Sequence, residues 1–180
     1  GKRTVFKYQA NVTPPKDYKQ WAGLVERLVS HCVERYGESE VSEWLFEVWN
    51  EPNLKIFWTG TQRDYFRLYR YTAEAIKNVS TSFKVGGPAT AKSEWIEEFV
   101  DFCERNDVPA DFVSTHHYQN DGYEGDSELD VQLFKSQRGI LREVAQNTRS
   151  YSRNRPVYYT EWNTSSSPTV CAPMSLNSTS

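Results

Sequence analysis

Apolar positions along the chain recur with two spacings, and the alternation between them sets out the fold. Four short runs rich in β-branched and aromatic residues read as strands: Trp44–Glu51, Lys84–Ala89, Asp111–His117 and Pro156–Trp162. Each ends in a polar or Gly/Pro-containing loop. A weaker strand signal, Thr4–Tyr8, comes before the first helix. Between the runs the spacing changes to that of amphipathic helices. Lys16–Tyr36 places Trp21, Leu24, Val25, Leu28, Val29 and Cys32 on one stripe, with Gly37 as its terminating residue. Gln62–Val79 follows a Thr61 cap, has Asp64 as the capping-box partner, and turns Phe66, Tyr69, Ala73 and Ile76 inward. Ser93–Asn106 opens on a Ser cap and buries Ile96, Phe99, Val100 and Cys103, and a looser helix covers Leu129–Ser150.

Strands alternating with helices predict βα units and a parallel sheet in the α/β class. Successive strands begin roughly 25–45 residues apart, the size of such a unit. An eight-unit barrel needs about 250 residues, whereas this chain has 180. Room exists for about four units, and the sequence closes in TSSSPTVCAPMSLNSTS without a helix after the last strand. A small open sheet and a piece of a barrel both fit, and the polar tail favours the piece.

In parallel βα folds, chemistry gathers at the carboxyl ends of the strands. Two of the four strands end there in a glutamate: FEVWNE in Glu51 and VYYTE in Glu161. Two acids meeting over one sheet end suit glycosidic bond cleavage, in which one carboxyl holds a proton and the other is ionised. Asn50, beside Glu51, supplies an amide suited to a sugar 2-hydroxyl. Strict alternation turns Asn50 and Glu51 to opposite faces, so a bulge or sharp bend is expected there. The same parity puts Glu47 and Trp49 on the Glu51 face, with Glu47 as a satisfied polar residue of a barrel lumen. The third strand ends in His116-His117-Tyr118. Adjacent strand histidines point apart and make a poor metal pair, so no metal site is expected. One of these histidines can instead share a face with Tyr118, and both can donate hydrogen bonds to a carboxylate. The glycines of KVGGPA lack phosphate-loop spacing. Gly86 and Gly87 are read as points of close backbone approach, with Pro88 ending the strand. Trp58, Trp95 and Trp162 are candidate sugar platforms, Trp162 foremost.

The segments WLFEVWNEPNL, VGGPA, VPADFVSTHHY and YYTEWNTSSSP, in that order, resemble glycoside hydrolase family 39, the β-xylosidase and α-L-iduronidase family. PPKDYKQW and RYG in the first helix resemble its xylosidase-like branch. The resemblance spans nearly the whole chain. It implies a (β/α)8 TIM barrel of which the fourth to seventh βα units are present, so that residues 1–180 form part of one catalytic domain. It further implies a retaining mechanism, with Glu51 as acid/base and Glu161 as nucleophile, and carries His116 and Tyr118 over as site residues. The middle histidine of HHY and the Trp of TEWN depart from the pattern, so His117 is given no role. The implied enzyme is an exo-acting β-D-xylosidase without a cofactor, acting on xylo-oligosaccharides or related glycosides. A binding fragment without activity, an α-L-iduronidase and a β-glucanase are the alternatives.

Composition narrows the partners. The chain is 38% hydrophobic and 14% aromatic with a formal charge of −3, and no Lys/Arg cluster offers a footprint for nucleic acid. No apolar run reaches the length of a membrane span. Cys32, Cys103 and Cys171 have no metal-like spacing, and reduced thiols are expected, which favours a cytoplasmic over a secreted setting. Oligomeric state leaves no mark on the sequence.

Overall fold

A computed structural model describes residues 10–122 and 139–164. The weak strand Thr4–Tyr8, the first part of the helix expected over Leu129–Ser150, and Cys171 lie outside the described residues. Helix α1 (Tyr18–Tyr36) and the short α2 (Glu38–Val41) precede β1 (Leu45–Glu47). Then α3 (Gln62–Val79), β2 (Lys84–Thr90), α4 (Ile96–Arg105), β3 (Phe112–Tyr118), α5 (Ile140–Tyr151) and β4 (Val157–Asn163) follow in alternation. The four strands are parallel and lie in chain order, β1-β2-β3-β4. The expected α/β class and parallel sheet are therefore present.

The sheet is strongly curled. In a flat sheet β1 and β4 would lie about 14 Å apart, three strand spacings. Yet the Thr160 hydroxyl on β4 donates to Glu47 Oε2 on β1 at 2.8 Å, across the intervening strands. Only a sheet wrapped around its inner face brings those side chains together, as a barrel requires.

The helices cover the outer face. On α3 the expected stripe is buried, with Phe66, Tyr69, Ala73 and Ile76 all in the core. Its capping box also forms, Thr61 and Asp64 exchanging hydrogen bonds. On α4, Ile96, Phe99, Val100 and Cys103 are buried as expected, but the helix starts at Ile96 rather than Ser93. Ser93 instead closes a 3-10 turn, Ala91–Ser93, and Trp95 in the left-handed region precedes the helix. The α1 stripe is only half right. Val25 and Val29 are buried, whereas Leu24 and Leu28 are 53% and 60% exposed. Gly37 terminates α1 at φ 87°, its N–H bonding Val33 O. Cys32 and Cys103 are free thiols, and burial raises that of Cys103 to about 12. Among the described residues no helix is long and apolar enough to cross a membrane.

Two glycines set the sheet's packing. A Cβ on Gly86 would stand 2.5 Å from the Phe112 ring, and one on Gly87 would stand 2.9 Å from the Tyr65 hydroxyl. That hydroxyl donates to Val48 O at 3.0 Å and Pro88 O at 3.1 Å, tying the ends of β1 and β2 to α3. Pro88 does not end β2, contrary to expectation. The strand runs on to Thr90, and the register slips at Ala89, whose φ is 52°.

Candidate active site

The site is built on β3, the most regular of the strands. Its residues alternate: Val113 packs in the core behind the sheet, while Phe112 meets Tyr158 on the inner face. Ser114, His116 and Tyr118 share that inner face with Phe112 by the two-residue period. His116 is 1% exposed and Tyr118 stands at the strand end.

Glu51 reaches the inner face by a break in its strand. The expected strand over Trp44–Glu51 is regular only from Leu45 to Glu47. Beyond it, Trp49 and Glu51 take positive φ, 72° and 43°, which is the bend anticipated at Asn50–Glu51. Two backbone bonds hold the bent segment against β2, Val48 N–H to Gly86 O and Glu51 N–H to Ala89 O at 2.8 Å. The Asn53 side chain adds a clamp, accepting from Ala91 N–H and donating to Ala91 O and Glu94 Oε2. The bend overturns the expected parity of Trp49. Its ring packs edge-on against Trp21 of α1 and against Trp58, away from Glu47 and Glu51.

Glu161 reaches the same face by a bulge. Thr115 pairs with Tyr159 in the register, but His116 pairs with Glu161, so Thr160 is an extra residue on β4. Val157 packs on the core and the Tyr159 hydroxyl bonds Thr148 of α5, so alternation alone would send Glu161 toward the helices. The bulge returns it to the inner face directly after Thr160.

The two acids meet over His116. Its Nδ1 lies 3.0 Å from Glu51 Oε1 and 3.5 Å from Glu161 Oε2. One carboxylate oxygen of each glutamate and this nitrogen all lie within 4.8 Å of one another. The Tyr118 hydroxyl donates to Glu161 Oε2 at 2.9 Å. His116 and Tyr118 thus share a face and both approach the acid of β4. Burial disfavours the charged form of His116, but the hydrogen bond to Glu51 and the charges of Glu161, Glu51 and Glu47 together raise its pKa above the usual value. Tyr118 is pushed up to about 12, first by burial and then by its bond to Glu161, so it remains a proton donor through neutral pH.

The other candidates are spread around this centre. Asn50 lines a small apolar cavity of about 310 Å³ with Ala10, Asn11, Val12, Trp49 and Phe57. Trp162 is 68% exposed at the rim, in register with His117 and so on the face opposite His116. Trp58 is fully buried and its indole N–H bonds Thr61 O, which makes it a core residue instead of a platform. Trp95 packs against Tyr65 and Phe66. His117 is buried behind β3 with neither ring nitrogen hydrogen-bonded among the described residues, and that burial lowers its pKa. Two contributors carried no sequence signal. Asn53 is an ordinary loop amide by sequence, and Asp121 Oδ2 accepts from Tyr118 N–H at 2.7 Å from within a short 3-10 turn.

Paired carboxylates brought together from separate strands are the equipment of glycosidic bond cleavage. Fold and site together therefore point to the glycoside hydrolases as a class. Within that class, the chain belongs to glycosyl hydrolases family 39, whose pattern matches residues 1–177. It is 51% identical over 170 residues to a β-xylosidase of Caldicellulosiruptor saccharolyticus, covering 93% of this chain and 35% of that protein. A β-xylosidase of Geobacillus stearothermophilus is 44% identical over 184 residues, again covering 93% of this chain and 35% of the relative. Among solved structures, the family 39 enzyme of Xanthomonas axonopodis pv. citri superposes with a TM-score of 0.81 at 36% identity, covering 92% of this chain and 34% of that one. The chain thus spans about a third of the length of the relatives it matches.

Proposed function

We propose that this chain carries both catalytic carboxylates of a retaining β-D-xylosidase, within a (β/α)8 barrel of which β1 to β4 are the fourth to seventh strands. The observation that carries the reading is the short distance between the acids, an oxygen of each lying within 4.8 Å across His116. Retaining enzymes hold their carboxyls about 5–5.5 Å apart, whereas inverting enzymes leave about 6.5–9.5 Å for a water. The closeness supports direct attack by one acid. The xylose preference is supported by relatives named β-xylosidase at 51% and 44% identity.

In this reading the ionised Glu161 attacks the anomeric carbon while Glu51 gives its proton to the leaving oxygen. Tyr118 fixes the Glu161 carboxylate through its hydroxyl, and His116 Nδ1 lies against both acids and helps to hold them in place. Glu51 then takes a proton from water, which releases the sugar from Glu161. Asn50, next to Glu51 in the chain, is the 2-hydroxyl contact. The substrate is a carbohydrate, a xylo-oligosaccharide or a related xyloside, and no cofactor takes part in these steps.

The test is the anomeric configuration of the first product from an aryl β-xyloside, followed by proton NMR with a chain carrying the whole barrel. β-Xylose as the first product is expected. α-Xylose as the first product would overturn the retaining assignment.

A further inference from the structure

Glu47 is a third carboxylate on the inner face, and the proposed reaction does not use it. It lies four residues before Glu51 on the regular part of β1. Its Oε2 accepts from the Thr160 hydroxyl at 2.8 Å, a contact between strands that are not neighbours. Thr160 is the extra residue of the β4 bulge, the residue whose insertion turns Glu161 inward. Glu47 is also close enough to contribute to the raised pKa of His116.

These facts belong together physically. A bulge leaves its extra residue outside the ladder and lets the strand bend there. The bend at Thr160 decides where the next side chain, Glu161, is aimed. A hydrogen bond from Thr160 to the opposite wall of the curled sheet fixes that bend from the side. Resting on the proposed role of Glu161 as nucleophile, we propose that Glu47 is a positioning residue that holds the Thr160 bulge, and through it the Glu161 carboxylate, in attacking geometry. Glu47 itself touches neither sugar nor reacting atoms. The two glutamates of FEVWNE therefore have separate work: Glu51 moves a proton, and Glu47 braces the strand that carries the opposing acid.

The bond needs an acceptor at residue 47 and a donor at residue 160, and nothing more. Glu47→Gln keeps the acceptor and Glu47→Ala removes it. Thr160→Ser keeps the donor and Thr160→Val removes it at similar volume. In a chain carrying the whole barrel, the rate of Glu161 labelling by a 2-deoxy-2-fluoro-xyloside with a dinitrophenyl leaving group is followed by peptide mass spectrometry. Supporting shells of this kind are worth about 10- to 100-fold. Glu47→Ala and Thr160→Val are each expected to slow labelling by that factor, with the apparent affinity for the reagent changed less than about threefold. Glu47→Gln and Thr160→Ser stay within about threefold of the parent, a rescue that loss of packing would not give. The Glu47→Ala/Thr160→Val double variant is no slower than the slower single, because both remove one interaction.

A folded Glu47→Ala variant that labels at the parental rate overturns the proposal, as do single effects that multiply in the double variant. Should Glu47→Ala fail to fold, the Thr160→Val and Thr160→Ser pair decides, and equal labelling by those two overturns it. A parent labelled on a residue other than Glu161 overturns the nucleophile assignment itself. Glu161 labelled equally in every variant overturns the bracing alone.

Discussion

His116 is the point at which charge, burial and function meet, and Asn in its place gives a worked prediction. The imidazole is 1% exposed and its Nδ1 faces two carboxylates. The Glu51 arm, at 3.0 Å with a carboxylate only 11% exposed, is a buried charge-assisted hydrogen bond, a class worth about 1.5–3 kcal/mol. The Glu161 arm is longer, at 3.5 Å, and that carboxylate is 43% exposed, so solvent screening holds it to less than about 1 kcal/mol. Asn retains a neutral donor and loses the charge. The expected loss in unfolding free energy near pH 5.5 is therefore about 2–3 kcal/mol.

The pH dependence separates charge from shape. The folded pKa of His116 lies above its ordinary value, net of the opposing effect of burial. A raised value means that the stabilisation is fully present below the free imidazole value of about 6.5 and is lost as pH rises through the folded value. Urea unfolding followed by tryptophan fluorescence at several pH values, in a chain carrying the whole barrel, gives the difference between parent and His116→Asn. His117 and Asp121 titrate in both proteins and cancel in that difference. The gap is expected to be widest near pH 5.5 and to shrink toward pH 9. A gap that is flat with pH, or that widens as pH rises, would refute the view that an imidazolium bridges the two acids.

Other substitutions probe single links. Tyr118→Phe removes the hydroxyl that donates to Glu161 at 2.9 Å. Loss of a hydrogen bond to a charged acceptor predicts a fall in kcat of about 10- to 100-fold with an aryl xyloside, and an unchanged kcat would exclude an orienting role. Glu51→Ala should stall turnover of xylobiose, whose leaving group needs a proton, while a dinitrophenyl xyloside still gives a burst of released phenol in stopped flow. Equal loss on both substrates would count against Glu51 as the proton donor. Gly86→Ala places a Cβ 2.5 Å from the Phe112 ring and carbonyl and should cost about 1–3 kcal/mol or more of stability by urea titration. A neutral result would mean that β2 and β3 can separate without loss.

The helices were largely legible because each carries its own evidence. The α3 boundaries, Gln62 and Val79, follow from a Thr61 cap and a clean apolar stripe, and the structure has both. The α1 positions read as one wide stripe, and which part of it is buried depends on what packs outside the helix. Val25 and Val29 face the core while Leu24 and Leu28 do not. Glu51 and Glu161 were legible as strand-end acids, since each terminates an apolar run. Their orientation was only partly so. The bend at Asn50–Glu51 follows from parity, but nothing in VYYTE marks Thr160 as a bulged residue. Asn53 and Asp121 are invisible for a different reason: each acts on backbone groups, Asn53 on those of the distant Ala91 and Asp121 on the N–H of Tyr118 three residues back.

The irregularities themselves are informative about function. His116 and Tyr118 sit on unbroken alternation, and both face the site without local strain in β3. The acids on either side arrive through departures from regular strand structure. Non-glycine residues at positive φ cost about 1–3 kcal/mol each, and the β1 end holds two of them, Trp49 and Glu51. Such a segment persists only when its surroundings over-determine it. Here the restraints are identifiable: Glu51 N–H on Ala89 O, the Tyr65 hydroxyl on Val48 O, and the Asn53 clamp on Ala91. On β4, the cross-sheet bond from Thr160 to Glu47 has the corresponding place. A regular central strand thus fixes the donors, and braced irregular strands bring the acids to them. Relaxing either brace would return an acid toward the face that ordinary alternation assigns it, so the site should lose its close carboxylate pair before the sheet loses its fold.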